Sequence, residues 1–267
     1  MGKIRKLVLA ALIALSPCVA AAEDAADLYK KAERGEWYEN ADMKEIDDLY
    51  AQAARGGSPY AFMASMRNRI ALADPEKQNR LAEELCPKAR EIVKKWQDEA
   101  KPAPETLYYL ASYHSDGICS NRDIKKARAD LARAAEGGYA KAQFFMGKSL
   151  LKKDPEAAFK WISKAGDAGF MLAVARQASC LLQGKGTGKD LKKADELIGK
   201  VLASGNSNAM YDIAIGYLDG TDGFEKNTEK GRTILKGLAE RGYEPATLAL
   251  KALDESKEDS KKDNKKG

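Results

Sequence analysis

Few residues in this sequence could carry chemistry. There is one histidine, His114, and there are four cysteines. His114 stands five residues before Cys119, and a thiolate held against a histidine base is the arrangement of a cysteine nucleophile. A single histidine excludes most metal sites built on two or three imidazoles. No paired-carboxylate or metal-ligand spacing stands out, so we expect neither a metal nor a cofactor.

Two short patterns resemble catalytic or nucleotide-binding motifs. Residues Ser149–Lys152 match the S-x-x-K spacing of a serine nucleophile, but the companion motifs of such enzymes are missing. Residues Gly184–Lys189 read GKGTGK, whereas a phosphate-binding loop needs a preceding strand and the spacing G-x4-G-K-[ST]. We therefore expect neither activity and predict that the protein is not an enzyme.

The first 22 residues, MGKIRKLVLAALIALSPCVAAA, have the layout of a secretory signal peptide. Lys3, Arg5 and Lys6 precede an apolar run over Leu7–Leu15, and small residues follow. Nine apolar residues are too few to span a bilayer. The sequence predicts cleavage near Ala22 and a mature protein that is periplasmic or secreted. No second long apolar run exists, so no integral membrane span is expected.

Charge and composition describe a soluble protein. The chain has 45 basic and 40 acidic residues, with 32% charged and 44% hydrophobic residues. Removing the signal leaves 42 basic residues and a net charge of +2, which offers little electrostatic basis for binding nucleic acid. An alternative processing route is lipid attachment at Cys18, although Pro17 stands where a small residue is preferred.

An internal repeat runs along most of the chain. Glycine is followed four residues later by alanine at five places: Gly57/Ala61, Gly138/Ala142, Gly169/Ala173, Gly205/Ala209 and Gly242/Ala246. Counting this alanine (Thr106 in one unit) as position 0, positions 0, +4, +5 and +8 lie on one stripe of a helix. A glycine at +11, as in Gly117, Gly184 and Gly220, would end that helix.

A second amphipathic stretch follows in each unit. It begins after a residue suited to cap a helix, namely Asp123, Asp154, Asp190 or Asn227. Helical hairpins of this kind bury their apolar faces only by stacking. The sequence therefore predicts an all-α solenoid of about six hairpins. His114 occupies position +8, so we expect a packing role for it.

Two units carry a family pattern most clearly. The matching residues are Leu110-Ala111, Gly117, Asp123 and Lys126-Ala127 in one, and Leu182-Gln183-Gly184-Lys185-Gly186, Asp190 and Lys193-Ala194 in the other. These residues resemble the Sel-1-like repeat family, a relative of the tetratricopeptide repeats, over 106–246 and more weakly over 24–105. The resemblance implies a right-handed α/α solenoid and protein binding.

Four segments follow from these patterns. They are a signal peptide (1–22), irregular N-terminal hairpins (23–105), regular repeats with a capping helix (106–253) and a charged tail (254–267). The tail holds no apolar group, so we expect it to be disordered. Within the irregular segment, Pro75 and Pro87 each suggest a helix start.

The mature chain keeps Cys86, Cys119 and Cys180, and an oxidising compartment favours pairing of two of them. Cys86 precedes the expected helix start at Pro87, and Cys119 falls in the loop between two helices. In a stacked array these places lie at the same end of neighbouring hairpins. We predict a Cys86–Cys119 disulfide and a buried, unreactive thiol at Cys180.

Positions +2 and +3 of the first helices face away from the core stripe and form a candidate partner site. They are Tyr108, Tyr109, Phe144, Phe145, Arg176, Tyr211 and Asp212. An exposed aromatic strip of this kind marks partner sites. We predict that a concave groove binds a protein or peptide of the cell envelope, as adaptor, regulator or inhibitor. The alternative is that half of these residues pack against the neighbouring hairpin.

The family resemblance leaves two further alternatives. Some exported Sel-1-like proteins neutralise delivered toxins, so this chain could be an immunity protein against a lipase or cell-wall hydrolase in the periplasm. Others have been described as β-lactamase-like hydrolases. The partner and the oligomeric state are not predicted by the sequence.

Overall fold

A computed structural model of the protein describes residues 17–37, 43–71 and 73–263. Within those ranges the regular structure is α-helical throughout, which confirms the predicted all-α repeat solenoid. The thirteen helices there are α1 (Pro17–Trp37), α2 (Met43–Arg55), α3 (Pro59–Ala71), α4 (Pro75–Gln97), α5 (Pro104–Asp116), α6 (Ile124–Glu136), α7 (Ala140–Leu150), α8 (Pro155–Asp167), α9 (Met171–Gln183), α10 (Leu191–Ser204), α11 (Ser207–Asp219), α12 (Thr228–Glu240) and α13 (Glu244–Asp263).

The chain forms two compact units. The first unit comprises Met1–Glu33 and Lys44–Lys95, and the second, called here the repeat unit, comprises Arg34–Met43 and Trp96–Gly267. The predicted signal peptide falls largely on residues 1–16, which lie outside the described residues, and α1 already includes residues 17–22.

In the first unit, helical spacing turns one face of each helix inward. Ala25, Tyr29 and Ala32 are buried on α1 at intervals of four and three residues. The ring of Tyr29 lies 6.0 Å from that of Tyr50 on α2 and 5.6 Å from that of Tyr60 on α3. Aromatic packing therefore joins the first three helices of this unit.

Helix α4 corrects one prediction. Pro75 does begin a helix, and the carboxylate of Asp74 caps it by accepting a hydrogen bond from the Lys77 N–H at 2.9 Å. Pro87, expected to begin another helix, lies inside α4. Proline removes one helical hydrogen bond, but the apolar face of α4 continues past it. The buried residues on that face are Leu81, Leu85, Ala89, Ile92, Val93 and Trp96.

The repeat unit pairs each first helix with the second helix that follows it: α5 with α6, α7 with α8, α9 with α10 and α11 with α12. Successive hairpins are joined through contacts of α6 with α7, α8 with α9 and α10 with α11. All four predicted caps are confirmed. The side chains of Asp123, Asp154, Asp190 and Asn227 each accept a hydrogen bond from the backbone N–H three residues on, at 2.9–3.0 Å.

Three first helices end as predicted. Gly117, Gly184 and Gly220 adopt left-handed conformations with φ of 68°, 69° and 66°, which glycine reaches without steric cost. The second hairpin of the repeat unit, α7–α8, lacks this glycine. Helix α7 ends at Leu150, and a short turn leads directly to the cap at Asp154.

The small residues at position +5 set the distance between paired helices. Ala111, Ala178 and Ala214 are buried there, as is Gly147 on α7. A Cβ on Gly147 would come within 2.7 Å of Ile162 Cγ1 and 2.9 Å of the Ala158 carbonyl oxygen on α8. The two helices are thus closer than an alanine would allow.

The C-terminal segment differs from expectation. Helix α13 continues to Asp263, so residues 254–263, predicted to be disordered, are helical in the structure. Oppositely charged residues one turn apart support this helix, as in the Lys251–Glu255 pair at 4.0 Å. Residues 264–267 lie outside the described part of the chain.

Candidate partner-binding face

The candidate site lies on the outward side of the first helices in the repeat unit, at positions +2, +3 and +6. Capped second helices hold each first helix at a fixed rotation, so the side chains at these positions are presented in a regular order. Here the first-helix face means Phe145, Lys148, Arg176, Tyr211 and Asp212.

The expectation of an exposed aromatic ladder is wrong for three of its members. Tyr108, Tyr109 and Phe144 are only 7%, 2% and 5% exposed. Tyr108 packs against Tyr139 at 5.2 Å and Phe145 at 6.1 Å between ring centroids. These large rings fill the space between neighbouring hairpins, which was the alternative left open by the sequence.

The other two buried rings have partners of the same kind. The Tyr109 ring lies 6.3 Å from Trp96, and the Phe144 ring lies 5.3 Å from Phe170. Burial removes more apolar surface from water than a ladder exposed to solvent would. Tyr108, Tyr109 and Phe144 therefore belong to the core.

The remaining four predicted residues keep access to solvent. Phe145, Arg176 and Tyr211 are half-buried, and Asp212 is exposed. Arg176 Nη1 donates to Asp222 Oδ2 at 2.7 Å, in a pair whose arginine side chain is 23% exposed. An aspartate from the loop after α11 therefore orients an arginine of α9.

Asp212 completes a small charge cluster. Burial by surrounding protein raises the pKa of its carboxyl, the charges of Arg176 and Lys148 lower it, and the charge of Asp222 raises it. The side chain is accessible to solvent, yet neighbouring helices displace enough water on other sides for desolvation to dominate. Three first helices and one loop thus contribute two basic and two acidic groups to one place.

Tyr211 stands at the edge of this cluster beside a second tyrosine. Its ring is 5.8 Å from Tyr243, in an edge-on arrangement. The Tyr243 hydroxyl donates to Asn208 Oδ1 at 2.9 Å, and burial raises the pKa of Tyr243 to about 12. The hydroxyl therefore stays protonated and holds the Asn208 amide in one orientation.

The amide groups of Asn206 and Asn208 share one acceptor. Asn206 caps α11, since its Oδ1 accepts from the Ala209 N–H at 3.0 Å, and it is 1% exposed. The Nδ2 groups of Asn206 and Asn208 lie 3.5 and 3.4 Å from the carbonyl oxygen of Glu36. That carbonyl lies near the end of the described part of α1.

Sequence reasoning missed Lys148, Asp222, Asn208 and Tyr243. Lys148 occupies position +6, so the repeat register contained the signal for it. Asp222 gave no periodic signal, because the loop after α11 departs from the repeat. Its φ of +55° is the one positive value at a non-glycine residue in the described ranges, and aspartate tolerates that region better than most residues.

The cysteines behave as predicted. Cys86 and Cys119 form a disulfide. Cys86 lies within α4 rather than at a helix start, so the positional argument for the bond was wrong although the pairing was right. Cys180 is free and 1% exposed, and burial raises the pKa of its thiol. None of the three offers a thiolate.

His114 is a core residue that pairs with an acid. It is 6% exposed, and its Nε2 lies 3.9 Å from Asp130 Oδ2 and 3.4 Å from Gln97 Nε2. Cys119 is bonded to Cys86, so a Cys119–His114 nucleophile does not form. The same Asp130 oxygen, Oδ2, accepts no hydrogen bond, and burial raises the pKa of this carboxyl.

The remaining motif candidates are parts of the scaffold. The Ser149 hydroxyl donates to the Met146 carbonyl at 2.8 Å. Gly186 has φ +72°, and a Cβ there would overlap the Pro155 carbonyl. The turn therefore requires glycine at position 186. Over residues 17–37, 43–71 and 73–263 there is no His, Cys, Asp and Glu cluster suited to a metal ion, and no helix is apolar over a membrane-spanning length.

Comparison with known families identifies the repeat. Residues 104–139, 140–170, 170–194 and 207–243 match the Sel1 repeat. The protein is a Sel1-like repeat protein. The four matches coincide with the hairpins α5–α6, α7–α8, the start of α9–α10 and α11–α12, so the Sel1 repeat accounts for the regular part of the repeat unit.

Two solved structures are similar to this Sel1-like protein. A Sel1 repeat protein from Oxalobacter formigenes is 19% identical, with 87% of this chain and 67% of that chain covered and a TM-score of 0.43. The Escherichia coli protein c5321, a protective antigen present in uropathogenic strains and displaying an SLR fold, is 21% identical, with 90% and 50% covered and a TM-score of 0.47. The chain therefore spans about half the length of c5321.

Proposed function

We propose that this Sel1-like protein is an exported scaffold that binds a protein or peptide through the first-helix face of its repeats. Sel1 repeats commonly serve protein interaction. The observation that carries the proposal is the charge cluster of Arg176, Asp212, Asp222 and Lys148 between two partly exposed rings, Phe145 and Tyr211. A surface that combines aromatic rings with oriented charges can contact both the polar backbone and the side chains of a bound peptide.

The chemistry of the face favours an extended segment of mixed charge. Arg176 is held by Asp222 through Nη1, and its other N–H groups remain geometrically fixed for a carbonyl or carboxylate. Asp212 supplies an acceptor for a basic side chain. Because packed and capped helices already hold these side chains in place, binding would cost little ordering of the scaffold.

Crosslinking tests this proposal. A photoreactive residue at Tyr211 should join a partner from a cell-envelope extract, whereas the same residue at Lys192, exposed on α10, should not. Adding Arg176→Ala should weaken the Tyr211 crosslink at least five-fold. Equal crosslinking at both sites would contradict a specific face. A delivered lipase or cell-wall hydrolase as the captured partner would identify an immunity role.

Export and the absence of catalysis belong to the same proposal. The positive start, apolar run and small residues of 1–22 support secretion to the periplasm or beyond, with cleavage near Ala22. Mass measurement of the protein recovered from the periplasmic fraction would show the new N-terminus. A full-length cytoplasmic product would refute export. Nitrocefin turnover by the purified protein would refute the proposal that this scaffold is not a hydrolase.

A further inference from the structure

The first unit contains an open cleft that the proposed function does not use. It has a volume of about 590 Å³ and is lined by α2, α3 and α4. Phe62 and Met66 on α3 and Leu85 on α4 form its apolar floor. Met66 and Leu85 are buried, and Phe62 is half-buried. Apolar surface at the bottom of an open cleft favours an apolar ligand group.

The cleft exists because α2 presents small side chains where the other two helices present large ones. Ala51 and Ala54 are on one face of α2 at a spacing of three residues, and both line the cleft. Facing them, Phe62, Met66 and Arg69 follow one another at intervals of four and three on α3. Because the alanine side chains are short, the space between them and Phe62 and Met66 stays unfilled.

Three cations and no acid line the cleft. They are Arg55 at the last residue of α2, Arg69 in the last turn of α3 and Lys88 on α4. Lys88 pairs with Glu91 at 3.6 Å, in a solvent-exposed contact that is energetically weak. Neither arginine has an ion-pair partner within residues 44–95. Within that range, two guanidinium groups beside an apolar floor therefore lack an anionic partner.

The cations stand at the two ends of the cleft. Residues Gly56–Ser58 reverse the chain between α2 and α3, so Arg55 lies near the start of α3 and Arg69 near its end. Ten residues separate Arg69 from Pro59, which is about 15 Å along a helix axis. Asp47, one turn before Ala51, is hydrogen-bonded to Asn68 instead, and burial raises the pKa of its carboxyl.

We propose that this cleft binds an anionic amphiphile, specifically a medium-chain carboxylate whose chain covers Phe62 and Met66 and whose head pairs with Arg69 or Arg55. The volume is within the range of small-molecule sites. A guanidinium binds a carboxylate through two parallel hydrogen bonds. An amphipathic helix would need apolar anchors spread over two or more turns, and the cleft offers a short floor with a charged group at each end.

Calorimetric titration of the purified protein with sodium dodecanoate tests the site. We expect saturable one-to-one binding that weakens about four-fold for each CH₂ removed, through decanoate to octanoate. Dodecyltrimethylammonium, which has the same tail and a positive head, should not bind. Absence of dodecanoate binding, or equal binding of the cationic amphiphile, would overturn the proposal.

Variants separate this cleft from the first-helix face. Arg69→Gln combined with Arg55→Gln should weaken dodecanoate binding at least ten-fold. Ser65 on α3 also lines the cleft, so Ser65→Phe should block it while circular dichroism reports an unchanged fold. Arg80→Gln, which removes an exposed charge of α4 outside the cleft, should leave the affinity unchanged. Unchanged affinity in the double variant, or binding of an acidic peptide in place of dodecanoate, would refute the carboxylate site. The Tyr211 crosslink is measured independently, so either proposal can fail alone.

Discussion

In the repeat unit each second helix is 13 or 14 residues long and begins at an aspartate or asparagine cap. In the first unit α4 is 23 residues long and passes through a proline. Periodic caps and glycines define the regular hairpins locally, within a few residues of each boundary. The long helix α4 also begins at a capping aspartate, Asp74, but its passage through Pro87 rests on side-chain packing along its buried face. The same helical hairpin can thus rest on local signals or on tertiary contacts.

The two units also differ in what they leave at the surface. In the repeat unit Tyr108, Tyr109 and Phe144 fill the spaces between hairpins, and Phe145 and Tyr211 keep only part of their surface in solvent. In the first unit Ala51 and Ala54 leave a cleft with an apolar floor. Regular stacking therefore uses its aromatic residues for stability, whereas irregular packing exposes a concave apolar surface.

Removing the disulfide should have the largest effect on stability. Replacing Cys86 and Cys119 with serine releases a loop of 32 intervening residues, for which chain entropy predicts a loss of about 3–4 kcal/mol in the free energy of unfolding. We expect the loss to appear as a lower urea midpoint, with hydrogen exchange rising first in α1–α4. The regular repeats carry local caps and should lose less protection.

Two measurements check the disulfide prediction. A reductant should lower the midpoint of the wild-type protein by the same amount and leave the double variant unaffected. A midpoint that does not change, or exchange that rises equally in α5–α12, would show that the first unit depends on the bond no more than the repeats do.

Close helix packing in the repeats gives the second prediction. Gly147→Ala should destabilise the protein by about 1–3 kcal/mol, because the new methyl group meets Ile162 and the Ala158 carbonyl. Gly199→Ala, within α10 where nothing lies within 4 Å, should stabilise it by about 0.5–1 kcal/mol. Thermal denaturation measures both. If both substitutions stabilise the protein, the α7–α8 contact accommodates a larger side chain than the structure indicates.

The His114–Asp130 pair gives the smallest effect, a pH dependence at the first regular hairpin. Burial, and then the charge of Lys126, lower the pKa of His114 from 6.5, while Asp130 and Asp123 oppose them. The folded state thus favours the neutral ring, and this stability is present above pH 6.5 and lost as the pH falls below it. Asp130 has the opposite sign, because its raised pKa makes the ionised carboxylate costly at neutral pH.

Chemical denaturation between pH 7 and pH 5 measures this dependence. His114 is the only histidine, so His114→Gln should reduce the loss of stability over that interval, and Asp130→Asn should raise the stability at pH 7. The later repeats have Leu150, Leu181 or Tyr217 at this position and should contribute nothing there. If the stability of His114→Gln depends on pH as that of the wild-type protein does, the first regular hairpin is no more sensitive to pH than the others.

Much of the fold could be predicted because its signals are local. An aspartate at 123, 154 or 190 caps a helix through an N–H only three residues away, and Gly117, Gly184 and Gly220 end helices through their own φ angles. Pro87 misled the prediction, because a proline signals a helix start only where no buried face continues past it.

The candidate sites were harder to predict. The positions of Arg176, Tyr211 and Asp212 on the outward face follow from the repeat register, whereas Asp222 reaches Arg176 across 46 residues of sequence. The cleft of the first unit gave no signal at all, because Ala51 and Ala54 look like ordinary small residues in a helix. Whether a cleft forms beside those alanines depends on the side chains opposite them, and these are brought there by the packing of α2, α3 and α4.

By itself the sequence determined the Sel1 repeat and the helix boundaries of the regular hairpins, since each depends on spacing. Only the tertiary structure decided which aromatic rings are buried, where α4 ends and where space remains for a ligand. The physical reason is that caps and turns are satisfied by neighbours in the chain. Burial and cavities instead depend on side chains that the fold brings together from distant helices.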